Sequence, residues 1–201
     1  YEPGPRMDAG DPNNATYVRL FLHDGTHVDA PFHFDNEGKK IDEIPIEDFI
    51  YKAPLVLDIP KQRGELVTHA DLEPHMEALR EADLVLLHTG FGANRDNEAV
   101  YQDEFPAIDL EAAQLFRDAL LNVKGIGIDT LSIESVHAPE NGFPVHRALL
   151  HHTVSSNRTL LIYENVVTDE LAGKRVKEVY ALPIRFAGLE AAPVSMVARV
   201  E

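Results

Sequence analysis

Apolar positions along this chain fall into short runs separated by polar turns. Pro54-Leu55-Val56-Leu57-Asp58-Ile59, Leu84-Val85-Leu86-Leu87-His88, Ile126-Gly127-Ile128-Asp129 and Leu160-Leu161-Ile162-Tyr163-Glu164 are such runs, each closed by a polar residue or a turn signal. Continuous apolar stretches of this length predict buried strands, and several deliver an Asp, His or Glu at the C-terminal end, where a sheet presents functional groups. Tyr17 to His23 instead alternates Tyr17, Arg19 and Phe21 against Val18, Leu20 and Leu22, which predicts a strand feeding directly into a histidine-rich segment. Val179 to Ile184 and Val194 to Val200 predict closing strands, interrupted by Pro183, Gly188 and Pro193.

Helical spacing covers Ala70 to Ala82 and Leu110 to Asn122, the second with Asp109 as its N-cap and Leu115, Phe116, Ala119 and Leu120 as its apolar face. Pro144 is suited to a first helical turn, so Pro144 to Leu150 predicts a third helix with His146 near its start. The mixed order of these elements predicts an α/β fold with one or more mixed sheets and a few flanking helices, not a doubly wound nucleotide fold. Neither a G-x-G-x-x-G nor a P-loop pattern is present. Residues 1–16 are rich in Pro, Gly and Asn and read as an N-terminal loop or arm, and the absence of a long polar linker predicts a single domain over 1–201.

Charge narrows the function. A formal net charge of -16 argues against a nucleic-acid binder, since Lys174, Arg175 and Lys177 are the densest basic group. The chain has no cysteine, so a disulfide, a thiolate metal site and a Cys nucleophile are all excluded, and any metal must sit on His, Asp and Glu. No apolar run approaches the roughly 20 residues that span a bilayer. The expectation is a cytoplasmic protein with a small-molecule partner and neither nucleic acid nor membrane.

The densest chemistry lies between His23 and His33, where His23, His27, Asp29 and His33 fall within one short segment. Most isolated histidines are solvated or hydrogen-bonded, and His69, His75, His151 and His152 are read that way. A zinc helix carrying His23 and His27 is disfavoured by Gly25, Thr26, Val28 and Pro31, and its glutamate is missing. In an extended chain His27 and Asp29 share one face, and a bend at Gly25 can bring His23 to them. Two imidazoles and a carboxylate then converge as an open set of ligands that suits a divalent ion such as Zn2+ or Mn2+. Pro31 stiffens the exit and places His33 close by, for ligation or for acid–base work.

The spacing H-x-G-T-H-x-D-x-P-x-H over His23 to His33 resembles the signature of the cyclase-like metal hydrolases, the family that includes bacterial kynurenine formamidase and isatin hydrolase. Leu87 to Phe91, Gly125 to Ser132, Phe143 to Leu150, Tyr163 to Asn165 and Ala181 to Ile184 resemble further family blocks in family order. The similarity spans nearly the whole chain. It implies the family's swivelling β/β/α architecture and a homodimer or homotetramer, with residues near Tyr1 to Asn14 as an arm between subunits.

The resemblance further implies that His23, His27 and Asp29 hold a first ion, that Asp29 bridges to a second held by His146 and Glu164, and that His33 carries the proton. Two departures matter. His151 to Arg158 contains a short insertion, so His152 competes with His146, and one ion or two remain open. The family's opening strand is missing, which leaves Tyr1 as the remnant of a Pro-Gly loop that contacts substrate. Phe32 and Phe91, with Phe34, are the other candidates for an aromatic pocket, against a reading of each as core. Asp129 and Ser132 rank behind all of these, since an Asp at a strand end often only caps a turn.

The implied chemistry is hydrolysis of an aryl formamide or an isatin-like lactam, with the metal acidifying water and polarising the carbonyl. A lactone hydrolase or cyclase and a non-enzymatic metal-binding protein are the alternatives.

Overall fold

The computed structural model describes residues 2–135, 142–151 and 158–201. Its strands are β1 (Glu2–Pro3), β2 (Thr16–Tyr17), β3 (His27–Asp29), β4 (Ile50–Tyr51), β5 (Pro54–Asp58), β6 (Leu66–Val67), β7 (Leu84–His88), β8 (Ala107–Ile108), β9 (Gly125–Ile128), β10 (Leu161–Glu164), β11 (Val176–Pro183) and β12 (Ala191–Val200). The α-helices are α1 (His69–Leu72), α2 (Met76–Glu81), α3 (Glu98–Tyr101), α4 (Leu110–Asp118) and α5 (Pro144–Leu150). None of the described helices is long and apolar enough to cross a membrane.

Eight strands form one sheet in the order β4-β11-β12-β3-β10-β9-β7-β5. From β5 through β7 and β9 to β10 the strands are parallel, and from β10 through β3, β12 and β11 to β4 they are antiparallel. The parallel half needs crossovers, which carry the helices. The sheet curls until β11 approaches β5, close to a barrel. The fold is therefore the mixed α/β type that the sequence predicts.

Period-two alternation divides the sheet's side chains between two cores. Leu84, Leu86, Leu161, Tyr163 and Val28 point to the inside of the curl with Phe49 and Tyr51. Val85, Leu87, Ile126, Ile128 and Ile162 point outward against Phe116, Val145 and Leu149 of the helical layer. Gly125 and Gly127 turn toward the inside, where Tyr51 and Tyr163 join their hydroxyls at 2.8 Å. A methyl group on Gly125 would meet the Tyr51 hydroxyl at 2.6 Å, and one on Gly127 would meet Leu86 Cδ2 at 2.7 Å. The two glycines make room for the tyrosine pair.

Several elements differ from the sequence reading. The alternation from Tyr17 to His23 does not make a strand of the main sheet. Only Thr16–Tyr17 is extended, and it pairs with Glu2–Pro3. Both edges of β3 are already taken by β10 and β12, and Tyr17, Val18, Leu20 and Phe21 stand exposed instead. The helix expected over Ala70 to Ala82 is broken at Pro74 by a 3-10 turn over Glu73–His75, because proline removes a donor and clashes with the preceding turn. The helix begun by Asp109, whose side chain accepts from the Ala112 N–H at 2.7 Å, stops at Asp118 rather than Asn122. There the Arg158 guanidinium collects the carbonyls of Phe116, Arg117, Leu120 and Val123. Pro193 lies inside β12, paired with His27, and its carbonyl accepts from the Ile184 N–H.

Gly127→Ala should lower the free energy of unfolding by roughly 1–3 kcal/mol, the usual cost of overpacking a filled interior. Urea denaturation of variant and wild type measures this, and equal midpoints would show slack in the inner core.

Candidate metal centre

The centre forms where the parallel and antiparallel halves of the sheet meet. β3 pairs with β10 so that His27 faces Glu164 and Asp29 faces Ile162. Ile162 belongs to the outward face, so His27, Asp29 and Glu164 share the side covered by α5. All three are buried, Asp29 completely. Gly25, at φ 67°, supplies the left-handed bend that returns His23 to the strand it precedes. Beyond Ala30 a 3-10 turn over Pro31–His33 sets His33 beside its neighbours, with its N–H donating to the Ala30 carbonyl at 2.9 Å.

Nδ1 of His23 lies 3.0 Å from Asp29 Oδ1, and Nε2 of His27 lies 3.5 Å from the same oxygen and 3.3 Å from Glu164 Oε2. From α5, Nε2 of His146 lies 3.3 Å from Glu164 Oε1 and 3.9 Å from Asp29 Oδ2. Two sets of donor atoms are close enough to surround an ion, His23 with Asp29 and His33, and His27 with Asp29 and Glu164. Asp29 is common to both. By proximity His27 belongs to the second set with Glu164, and His33 completes the first.

Despite these approaches, neither oxygen of Asp29 accepts a well-directed hydrogen bond among the described residues, and Nε2 of His27 is likewise unsatisfied. A buried carboxylate left in that state costs on the order of several kcal/mol, so the arrangement calls for a cation. The chemistry of the donors agrees, being imidazole and carboxylate throughout. The protons show the same demand. Burial pulls the His27 imidazole down, but the close approach of Glu164 to Nε2 and the charges of Asp29 and Glu164 outweigh this and raise it to about 9. His146 is treated alike by burial and then by Glu134 and Glu164, and is raised to about 10. Burial pushes Glu164 up, yet His146 and His27 together hold it well below the ordinary carboxylate range.

Three of the four histidines also have their other nitrogen near an oxygen. Nδ1 of His27 meets the Gly25 carbonyl at 3.0 Å, Nδ1 of His146 meets Glu134 Oε2 at 2.7 Å, and Nε2 of His23 lies 3.5 Å from Glu190 Oε1. Such outer partners fix the tautomer and orientation of metal-bound imidazoles. His33 makes no such bond among the described residues. Its pKa is lowered, chiefly by burial and further by His23 and His146.

Aromatic rings wall the cluster. Phe34 stacks on His146 at 4.9 Å between centroids and meets His33 edge-on at 4.6 Å, Phe143 lies 5.9 Å from Phe34, and Phe21 lies 5.2 Å from His23. Phe32 is half-buried, with Lys40 Nζ 5.0 Å from its ring centre. Phe91 packs with Tyr101 and Phe105 in a cluster of its own, and its ring contact is to Tyr101. Tyr1 and His152 lie outside the described residues. Asp129 does cap a turn, accepting from the Thr89 N–H and hydroxyl and from the Gly90 N–H.

The sequence reading missed Glu134, Glu190, Phe21 and Phe143 as parts of this site. Glu134 and Glu190 are far in sequence from the histidines they face, Phe21 lies in a segment whose alternation suggested a strand, and Phe143 precedes the helix of His146 as one apolar residue among many.

The Cyclase family model matches residues 3–135, which include the His23–His33 segment. The chain belongs to the cyclase family. An uncharacterized protein of Haemophilus influenzae is 40% identical over 107 residues, 53% of this chain and 75% of that protein. Among solved structures, one described as a potential metal-dependent hydrolase with cyclase activity superposes with a TM-score of 0.73 at 26% identity, over 90% of this chain and 81% of that one. Isatin hydrolase A from Ralstonia solanacearum superposes with a TM-score of 0.80 at 21% identity, over 100% of this chain and 81% of that one, a likeness of fold.

If Asp29 is the shared ligand, Mn2+ or Zn2+ should raise the melting temperature of the chelator-stripped wild type and leave that of Asp29→Ala unchanged. Thermal scans with and without the ion measure this, and an equal rise in both proteins would remove Asp29 from the centre.

Proposed function

We propose that this chain is a metal-dependent hydrolase of amide or lactam bonds in small molecules that carry an aromatic ring, such as aryl formamides and isatin-like lactams. The observation that carries the reading is Asp29, completely buried and without a directed hydrogen bond among the described residues, set between two groups of imidazole and carboxylate donors. His23, His27 and Asp29 would hold one divalent ion, and Asp29, Glu164 and His146 a second. This division follows the family resemblance of the His23–His33 segment, whereas proximity alone groups His27 with Glu164 and His33 with His23. Bound there, a Zn2+ or Mn2+ ion acidifies water and polarises a carbonyl oxygen.

The remaining steps belong to the side chains. His33, kept neutral by burial and with no hydrogen-bond acceptor among the described residues, takes a proton from water as the water oxygen adds to the carbonyl carbon. The carbon–nitrogen bond then breaks, and His33 returns the proton to the departing nitrogen. The rings of Phe34, Phe143 and Phe21 border the histidines and offer flat apolar surface to the aromatic part of a substrate.

His33→Ala should reduce turnover by about 10²–10⁴-fold, the usual contribution of a positioned acid–base group, while metal content per chain stays at the wild-type level. Elemental analysis beside a hydrolysis assay on isatin, N-formylkynurenine and simple lactones separates the outcomes. Loss of the ion would make His33 a ligand, and failure of the metal-loaded protein on every substrate would contradict the hydrolase reading.

A further inference from the structure

The loop after β9 holds two residues of the centre in place. Ser132 Oγ donates to Glu164 Oε1 at 2.8 Å, and the Ile133 N–H donates to the same oxygen at 2.7 Å. Glu164 is thereby oriented with Oε2 toward His27. Two residues further, the buried Glu134 accepts from Nδ1 of His146 at 2.7 Å and from the backbone N–H groups of His146 and Val145 at 3.0 and 2.9 Å. The Glu134 N–H donates in turn to Ser132 Oγ at 3.2 Å, so one hydroxyl links both arms.

A carboxylate facing Nδ1 keeps a proton on that nitrogen, so that Nε2 is the atom that gives up its proton when a cation takes its place. Nε2 is the atom that faces Glu164 and Asp29. The three bonds from Glu134 fix the ring and the first turn of α5 as one body, whereas His23 and His27 have no bond to this loop among the described residues.

We propose that Glu134 is a positioning residue that presets His146 as an Nε2 ligand, and that the Ser132–Glu134 loop thereby governs the affinity of the second cation alone. The inference rests on the reading that the cluster holds divalent cations. It assigns the loop a task separate from the His23–His33 segment, which holds the first cation.

The test is calorimetric titration of the chelator-stripped full chain with Zn2+, for wild type, Glu134→Gln and Ser132→Ala. Circular dichroism confirms folding, and long-range 1H–15N spectra report the tautomer of His146. Wild type should take two ions, with His146 protonated at Nδ1 and zinc on Nε2. Glu134→Gln should keep the first affinity and weaken the second by about 10–100-fold, the usual loss when an outer partner is removed, with the Nδ1–H signature of His146 lost. Ser132→Ala should weaken the same ion. If Glu134 merely caps α5, both affinities and the tautomer will be unchanged while the melting temperature falls, and the proposal is overturned. Wild type taking one ion without engaging His146 also overturns it, yet leaves the hydrolase reading standing. Wild type taking no ion overturns both.

Discussion

The carboxylate of Asp29 governs the rest of this structure, because it has been taken out of water without, among the described residues, the hydrogen bonds that ordinarily compensate for that loss. Every nearby feature answers that deficit. His23 and His27 crowd its Oδ1, His146 approaches its Oδ2, and the surrounding carboxylates, Glu164 and Asp29 beside His27 and Glu134 and Glu164 beside His146, raise both imidazoles well above their usual range. A folded chain that keeps so much negative charge inside, against an overall charge that is itself strongly negative, is built to receive positive charge at that point.

Topology decides where the point lies. Strand β3 joins the end of the parallel set to the start of the antiparallel one, so one of its faces looks into the curl of the sheet and the other toward α5. Val28 fills the first, and His27 and Asp29 take the second. The inner core must be tight for this to hold. Gly125 and Gly127 admit Tyr51 and Tyr163 to the interior, and Tyr163 lies opposite Val28 in the register that puts Glu164 across from His27. A slip of one residue in that register would send the ligands into the apolar interior.

Much of this was legible in the sequence. The runs Leu84–His88 and Leu161–Glu164 are unbroken apolar strands because both their faces are covered, and such runs can be read without knowing the partner strands. The spacing of His23, His27, Asp29 and His33 carried the centre, since a glycine bend, a period-two strand and a proline turn are all local rules. What failed was non-local. Tyr17 to His23 has strand periodicity, but both edges of β3 are occupied, and periodicity cannot report that. Glu134 touches His146 from 12 positions away, through a loop whose path only the folded chain defines. Phe91 was an equal candidate for pocket or core, and it sits with Tyr101 and Phe105 because packing against α3 decided between them.

The most direct test of the central claim is a crystal structure of the chain grown with Zn2+ and measured on both sides of the zinc absorption edge. The account predicts anomalous density on Asp29, one peak on its His23 side and one on its Glu164 side, each at about 2.0–2.2 Å from a carboxylate oxygen. Anomalous density elsewhere with none at Asp29, or an Asp29 carboxylate satisfied by hydrogen bonds from protein and water alone, would contradict it.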